Sequence, residues 1–384
     1  MKLTSQDFVR RLPDSNVQFS RGPAWSHRLR VDPILLLLLL VITCFGLAVL
    51  YSASGQNELM LRRQGIFFII AYSAMFITAQ LDLQMLRRWS VWLYLVGIVL
   101  LIAVLLIGVG AKGAKRWVSL GFIRFQPSEI LKIAVPVMMA AYFSARRLPP
   151  SLGDVVMSLM IVITPGVLIF LQPDLGTAIL ISTSGLIVLF MAGLQWRYIF
   201  GSLAMVGASI WPMWHFIMKD YQKQRVLTLL DPEADKLGAG WNIIQSKTAI
   251  GSGGISGKGL FNGTQSQLDF LPESHTDFII AVMAEELGLY GVLILLALYL
   301  LVVARGLIIA FAARNMFNRL LAASITLTFF VYVFVNVGMV AGMLPVVGVP
   351  LPLVSLGGTS IVTLLTGFGL LMAIATDPKN TSVS

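Results

Sequence analysis

Asp277 stands in Leu271-Pro272-Glu273-Ser274-His275-Thr276-Asp277-Phe278, where a long polar stretch gives way to an apolar run. A carboxylate in the first turn of a helix complements the positive end of the helix dipole and needs no further purpose. Ala281 and Ala284, however, follow on nearly the same face and leave room beneath it, so a substrate could reach a group able to take a proton. Glu285 lies a further quarter-turn round, and Glu286 points away.

Glu129 and Lys132 are three residues apart in another apolar run, so they occupy adjoining faces of a helix and neutralise each other. Ionisable groups at membrane depth are expensive and usually line a cavity. The pair reads either as a structural ion pair or as a lysine facing a ligand's phosphate with a glutamate positioning it. Four cations, Lys112, Lys115, Arg116 and Arg124, crowd into the loop 110–127. Further on come Tyr221-Gln222-Lys223-Gln224-Arg225, the Gly-rich 251–259 and Gln265-Ser266-Gln267, a mixture suited to sugars and phosphates and equally to docking a protein.

Two glycine patterns are set aside. Gly108, Gly110 and Gly113 spell G-x-G-x-x-G but follow an apolar helix rather than a strand of a βαβ unit. Gly257-Lys258 lacks the first glycine and the Ser or Thr of a phosphate loop. Cys44 is the single cysteine, so no intramolecular disulfide forms, and His27, His215 and His275 are too scattered for a metal cluster.

The elements that must position these residues are membrane helices. The chain is 57% hydrophobic and 12% charged, about half the charge of an ordinary soluble domain. Runs at 34–51, 66–80, 91–109, 128–145, 155–171, 176–194, 198–217, 276–303, 320–343 and 354–375 approach the roughly 20 residues needed to span a bilayer. The expected architecture is an all-α polytopic membrane protein of about ten spans, with one large loop, 218–275, between the seventh and eighth. The first run is too long for a signal-peptide core and reads as an uncleaved helix.

The +10 net charge would suggest nucleic acid in a soluble protein, but here most basic residues fall between apolar runs and set topology. With the N-terminus inside, the inner segments hold 15 Lys and Arg and the short outer loops hold six: Arg62, Arg63, Lys112, Lys115, Arg116 and Arg124. Both termini are then cytoplasmic, residues 1–33 and 376–384 flank a membrane domain of 34–375, and 218–275 lies outside. The fourth, sixth, eighth and tenth spans begin at the outer face, where their unpaired N–H groups attract phosphate. Gln126-Pro127-Ser128-Glu129 and Gln172-Pro173-Asp174 open two of them with proline in the first turn. The segment 344–352 is too broken by proline and glycine to be helical, and such backbone is tolerated at membrane depth only against protein or a water-filled cavity.

With these motifs assembled, the chain resembles the shape, elongation, division and sporulation (SEDS) family over essentially its whole length. The resemblance rests on Lys115-Arg116-Trp117, Gln126 through Lys132, Gln172 through Thr177, Gly238 to Gly259, Leu271 through Phe278 with Glu285-Glu286-Leu287-Gly288, and Pro345 through Thr359. Leu344 through Pro352 is similar to the rod-shape branch rather than the division branch. Leu356 departs from the family's usual tyrosine.

The resemblance implies a peptidoglycan glycosyltransferase of the cytoplasmic (inner) membrane. It polymerises lipid II at the outer face during elongation, releases undecaprenyl diphosphate, and works beside a class B penicillin-binding protein. It makes Asp277 the catalytic residue and Glu129, Lys132, Lys115, Arg116, Arg225, Gln172, Asp174, His275 and Thr276 the substrate-binding set. No dedicated metal ligands or tightly bound cofactor are expected, though a divalent cation, Mg²⁺ or Mn²⁺, could arrive with the diphosphate. Membrane lipids and lipid II are the expected partners, and nucleic acid is not. The rival readings are a lipid II flippase, a division-type member and a scaffold for the crosslinking enzyme.

Overall fold

The computed structural model describes residues 29–111, 114–119, 124–218, 220–235, 239–264 and 274–377. A helix occupies each of the apolar runs. In chain order these are α1 (Pro33–Ala53), α2 (Glu58–Ala79), α3 (Leu83–Ile107), α4 (Ser128–Ser144), α5 (Leu152–Leu171), α6 (Leu175–Met191) and α7 (Trp196–Pro212). After the long polar stretch come α10 (Ile279–Ala312), α11 (Met316–Val340) and α12 (Thr359–Ala375). The polar stretch itself is partly helical, with α8 (Asp220–Leu230) and α9 (Ala239–Gly253).

Polar residues punctuate the apolar runs. Asp32 accepts from Leu35 N at 2.8 Å ahead of Pro33, Asn57 and Asp82 cap α2 and α3, and Ser151 with Asp154 forms a capping box on α5. Each cap satisfies N–H groups that the first turn leaves unpaired. Six helices, α1, α2, α3, α5, α10 and α11, are long and apolar enough to cross a membrane. The other four that match apolar runs, α4, α6, α7 and α12, have 17 residues each. At about 1.5 Å per residue they reach roughly 25 Å, short of the ~30 Å hydrocarbon core. Irregular backbone precedes α4, α6 and α12, at Gln126-Pro127, Gln172-Pro173 and the stretch 341–358.

α12 packs on α2, α10 lies against α11 and α1, α6 against α5 and α11, and α4 touches α3, α6 and α11. Tyr299, Phe329 and Phe368 form an edge-to-face chain through the core, with centroids 5.6 and 5.1 Å apart. Outward-facing apolar residues such as Leu37, Ile69, Val99 and Leu293 are exposed, as a surface solvated by lipid requires. α7 stands apart, because none of its residues is buried and it runs into a π-helical turn, Met213–Ile217.

Two features add to the all-α expectation. The loop 110–127 contains a small antiparallel sheet in the order β1 (Val109–Ala111), β2 (Ala114–Ser119) and β3 (Arg124–Phe125), pairing Gly110 with Lys115 and Ser119 with Arg124. α10 is interrupted at Gly288 (φ 64°, ψ −163°), a conformation open to glycine alone at little cost. Into that break fits the chain after α9. Lys258 N donates to Glu285 O and Gly259 N to Glu286 O, while Leu289 N and Tyr290 N donate to Gly254 O and Ile255 O.

Candidate active site

Asp277 lies in the turn Ser274–Phe278 just before α10, partly exposed, while Phe278 and the turns that follow are buried. The irregular stretch 341–358 wraps this turn. Leu356 N donates to His275 O at 2.9 Å, Ser355 Oγ to Thr276 O at 2.5 Å, and Asn336 Nδ2 of α11 to Asp277 O at 2.9 Å. The same Asn336 Nδ2 donates to Val349 O at 2.7 Å. Gly348 (φ 73°) comes so close that a Cβ there would lie 3.5 Å from Asp277 Oδ2. Thus 344–352 is non-helical, as its prolines and glycine require, and forms a wall against the carboxylate.

Lys132 Nζ and Glu129 Oε1 are 2.7 Å apart, both largely buried, and the ammonium sits 5.6 Å from the centroid of the Tyr332 ring. Tyr332 and Asn336 are four residues apart on α11, hence on one face and about 6 Å apart along the axis. One face of α11 therefore meets the cation through Tyr332 and the turn of Asp277 through Asn336. Lys132 and Tyr332 share a cavity of about 60 Å³ with Phe329, Phe368, Ser360 and Thr363, and Tyr332 also lines a second one with Pro350, Ser355 and Gly357.

The start of α6 joins the same wall. A Cβ on Gly176 would come within 2.7 Å of Val347 O, so only glycine permits this approach of α6 to the irregular segment. Asp174 Oδ1 accepts from Thr177 N at 3.3 Å, capping α6, and its Oδ2 accepts from Gln126 Nε2 at 3.2 Å, tying the starts of α4 and α6 together. Gln172 is buried and its Nε2 donates to Leu101 O at 3.2 Å.

Of the ten site residues expected from sequence, Glu129, Lys132, Gln172, Asp174, His275, Thr276 and Asp277 thus gather around the starts of α4, α6 and α10. His275 and Thr276 enter through their backbone carbonyls. Lys115 and Arg116 lie on β2 and Arg225 on α8, and their side chains fall outside the described residues, as do Lys112 and Gln265 through Glu273. Among the described residues no group of three or more His, Cys, Asp or Glu is placed to hold a metal. Glu129 Oε2 is buried without a hydrogen-bond partner, as is the neighbouring Ser128 Oγ.

Asn336, Tyr332, Ser355 and Ser128 were not singled out in the sequence. Asn336 carries the one usable signal, an amide deep in an apolar 25-residue helix, where a polar side chain asks for partners. Lys258 is no phosphate-loop lysine, but it has a role. Its Nζ pairs with the fully buried Glu285 Oε1 at 2.7 Å, and Thr264 N and Oγ1 donate to the same oxygen at 2.8 and 2.9 Å.

Residues 32–380 match the FtsW/RodA/SpoVE model, described as cell cycle protein. The chain belongs to this family. It is 52% identical over 357 residues to the peptidoglycan glycosyltransferase MrdB of Escherichia coli K12, covering 93% of this chain and 96% of that one. It is 37% identical over 367 residues to a probable peptidoglycan glycosyltransferase FtsW of Geobacter metallireducens, covering 92% and 96%. The rod shape determining protein RodA of Thermus thermophilus superposes with a TM-score of 0.69 at 29% identity, covering 90% of this chain and 97% of that one. A chain of a peptidoglycan synthase complex, solved for its coordination of polymerization and crosslinking, gives 0.79 at 31%, covering 90% and 98%. The higher identity to MrdB agrees with the rod-shape character of 344–352. With its six long apolar helices the chain is a multi-pass membrane protein.

Proposed function

We propose that Asp277 is the general base of a lipid II polymerase whose diphosphate-binding end is built on Lys132. The chain is a peptidoglycan glycosyltransferase of the elongation, rod-shape type. In the reaction, Asp277 takes the proton of the acceptor sugar's 4-hydroxyl as that oxygen attacks the donor's anomeric carbon. The bond from that carbon to the lipid diphosphate breaks, and undecaprenyl diphosphate leaves with the bonding electrons.

The observation that carries this reading is that one face of α11 meets both Lys132, through Tyr332, and the Asp277 turn, through Asn336. Charge developing on the leaving diphosphate is stabilised by a cation and helix N-termini aimed at it in a partly dry cavity. Lys132 supplies the cation, and the start of α6, brought in by Gly176, supplies N–H groups. Lys115, Arg116 and Arg225 belong to the same binding set in this reading, with Gln172, Asp174, His275 and Thr276 shaping its wall. A divalent cation fits as well, since Mg²⁺ binds through one or two carboxylates plus substrate phosphates and Glu129 has a carboxylate oxygen to offer. Such an ion would neutralise diphosphate charge, while Glu129 would hold it and orient Lys132.

In the proposed topology ten helices span the cytoplasmic (inner) membrane, both termini are cytoplasmic, and 218–275 is extracytoplasmic. The large loop and the sheet of β1–β3 then flank the site at the outer face. A class B penicillin-binding protein is the proposed partner, in line with the synthase complex that the fold resembles.

The test is polymerisation of lipid II by purified protein in detergent, where no membrane remains to be crossed. Asp277→Asn keeps the shape of the side chain but accepts no proton, so glycan-strand formation falls by about 10²-fold or more. Activity above roughly a tenth of the parent's, with the protein folded, refutes the base role.

A further inference from the structure

Holding a base is a separate task from being one, and Asp277 sits in a turn rather than in a helix. We infer that Asn336 is the positioning residue of the active site, a single amide that fastens the Asp277 turn to the irregular wall 344–352. The inference deepens the reading of Asp277 as general base and rests on it.

Three observations converge. Asn336 is wholly buried on α11, and one nitrogen of its amide donates to Asp277 O at 2.9 Å and to Val349 O at 2.7 Å. The two carbonyls belong to segments 72 residues apart in sequence that share no helix or strand. The Val349 carbonyl follows directly on Gly348, whose backbone lies beside the Asp277 carboxylate. The amide therefore fixes both the main chain that bears the base and the main chain that walls it.

The neighbouring bonds leave this position to Asn336. His275 O and Thr276 O are held by Leu356 N and Ser355 Oγ, and Ser355 Oγ in turn accepts from Leu351 N at 2.8 Å. Gln64 Nε2 from α2 donates to Ser355 O at 3.1 Å and braces the wall from behind. The bonds to His275 and Thr276 stop short of Asp277, whose carbonyl Asn336 reaches. Asn336 Oδ1 is buried without a partner, an arrangement that stability alone does not favour. An amide retained there is accounted for by what its nitrogen holds.

Misplacing a reacting group by about 1 Å can reduce rate about 10²-fold, with little effect on ground-state binding when substrate contacts lie elsewhere. Lipid II polymerisation is measured for Asn336→Leu, which keeps the branched outline of the side chain and removes both bonds, and for Asn336→Asp, which in its neutral form donates at most one. Folding is followed by thermal unfolding in detergent. The expected result is a graded loss of kcat, about 10- to 100-fold for the leucine variant and less for the aspartate, with KM for lipid II within about threefold of the parent. Both variants fold.

Asp277→Asn in the same assay separates the two readings. If Asp277→Asn is inactive and Asn336→Leu keeps kcat within threefold, the base stands and the positioning role falls. If Asp277→Asn is active, the base role has failed, and any loss at Asn336 reports something other than placement of a base. A loss confined to KM, or failure of both Asn336 variants to fold, overturns the inference by showing that the amide serves binding or the fold.

Discussion

The turn that carries Asp277 and the start of α4 that carries Glu129 both pack against α11, yet they satisfy their polar groups in opposite ways. Around Asp277 the carbonyls of His275, Thr276 and Asp277 each accept a bond from another segment, and the side-chain atom left over is Asn336 Oδ1. At the start of α4, Ser128 Oγ and Glu129 Oε2 are buried with no hydrogen-bond partner among the described residues, although Glu129 Oε1 is paired with Lys132. Buried polar groups in native proteins are nearly always bonded, and in the proposed reading the bound diphosphate completes the set beside Lys132. On that reading the first region holds a geometry and the second receives the substrate. A catalyst that polymerises a lipid-linked sugar needs both, because its base must stay still while its diphosphate comes and goes.

The comparison breaks most visibly one step below the Asp277 turn. Lys258 Nζ, about a quarter exposed, pairs with Glu285, which is fully buried. Lys258→Met removes the cation from a carboxylate that keeps its bonds from Thr264 and Ser252. Removing one partner of a fully buried pair costs roughly 3–5 kcal/mol, and partial exposure of the lysine brings the expected loss to about 2–3 kcal/mol. Thermal unfolding in detergent reads it. Unchanged stability would show that the satisfied network does not hold the base of α10, and with it the first half of the contrast.

Lys132→Ala probes the other half. If Lys132 meets the diphosphate, kcat/KM for lipid II falls about 10- to 100-fold, the range of one charge-assisted contact of about 1.5–3 kcal/mol. Stability falls as well, since a buried carboxylate loses its partner, but the protein still accumulates and each folded molecule turns over more slowly. A variant that does not accumulate would return the pair to a structural ion pair, the other reading its spacing allowed.

Much of this was legible in the sequence, for physical reasons. Apolar run length located α1 to α7 and α10 to α12 but not α8 and α9 of the polar stretch, whose residues carry no apolar run. Pro345, Gly348, Pro350 and Pro352 forbade a helix and so announced the wall. Asp277 and the Glu129–Lys132 pair stood out because charges are expensive in hydrocarbon. Asn336 and Ser355 did not, because their importance lies in which distant carbonyl they reach, and local spacing is silent about contacts of 59 and 79 residues' separation. The sheet of β1–β3 escaped for a related reason, its strands of three, six and two residues being too short for a period-2 pattern to emerge. Lys258 was hidden by a different failure, a phosphate-loop pattern rejected correctly and then not asked what else it could do.

The finest test uses two serines. Ser355 Oγ donates to Thr276 O and accepts from Leu351 N, whereas Ser128 Oγ is buried and unpartnered. Ser355→Ala removes two internal bonds, so it lowers stability by about 1–3 kcal/mol. Ser128→Ala removes none and leaves stability within about 0.5 kcal/mol of the parent. Binding reverses the order: if Ser128 Oγ completes its bonding on the bound substrate, its alanine variant raises KM for lipid II severalfold, by the ~0.5–1.5 kcal/mol of one hydrogen bond. Ser355→Ala leaves KM unchanged and lowers kcat. Unfolding curves and lipid II titrations on the same two preparations decide the matter, since a shared response from both serines would mean that the regions do not divide holding from receiving.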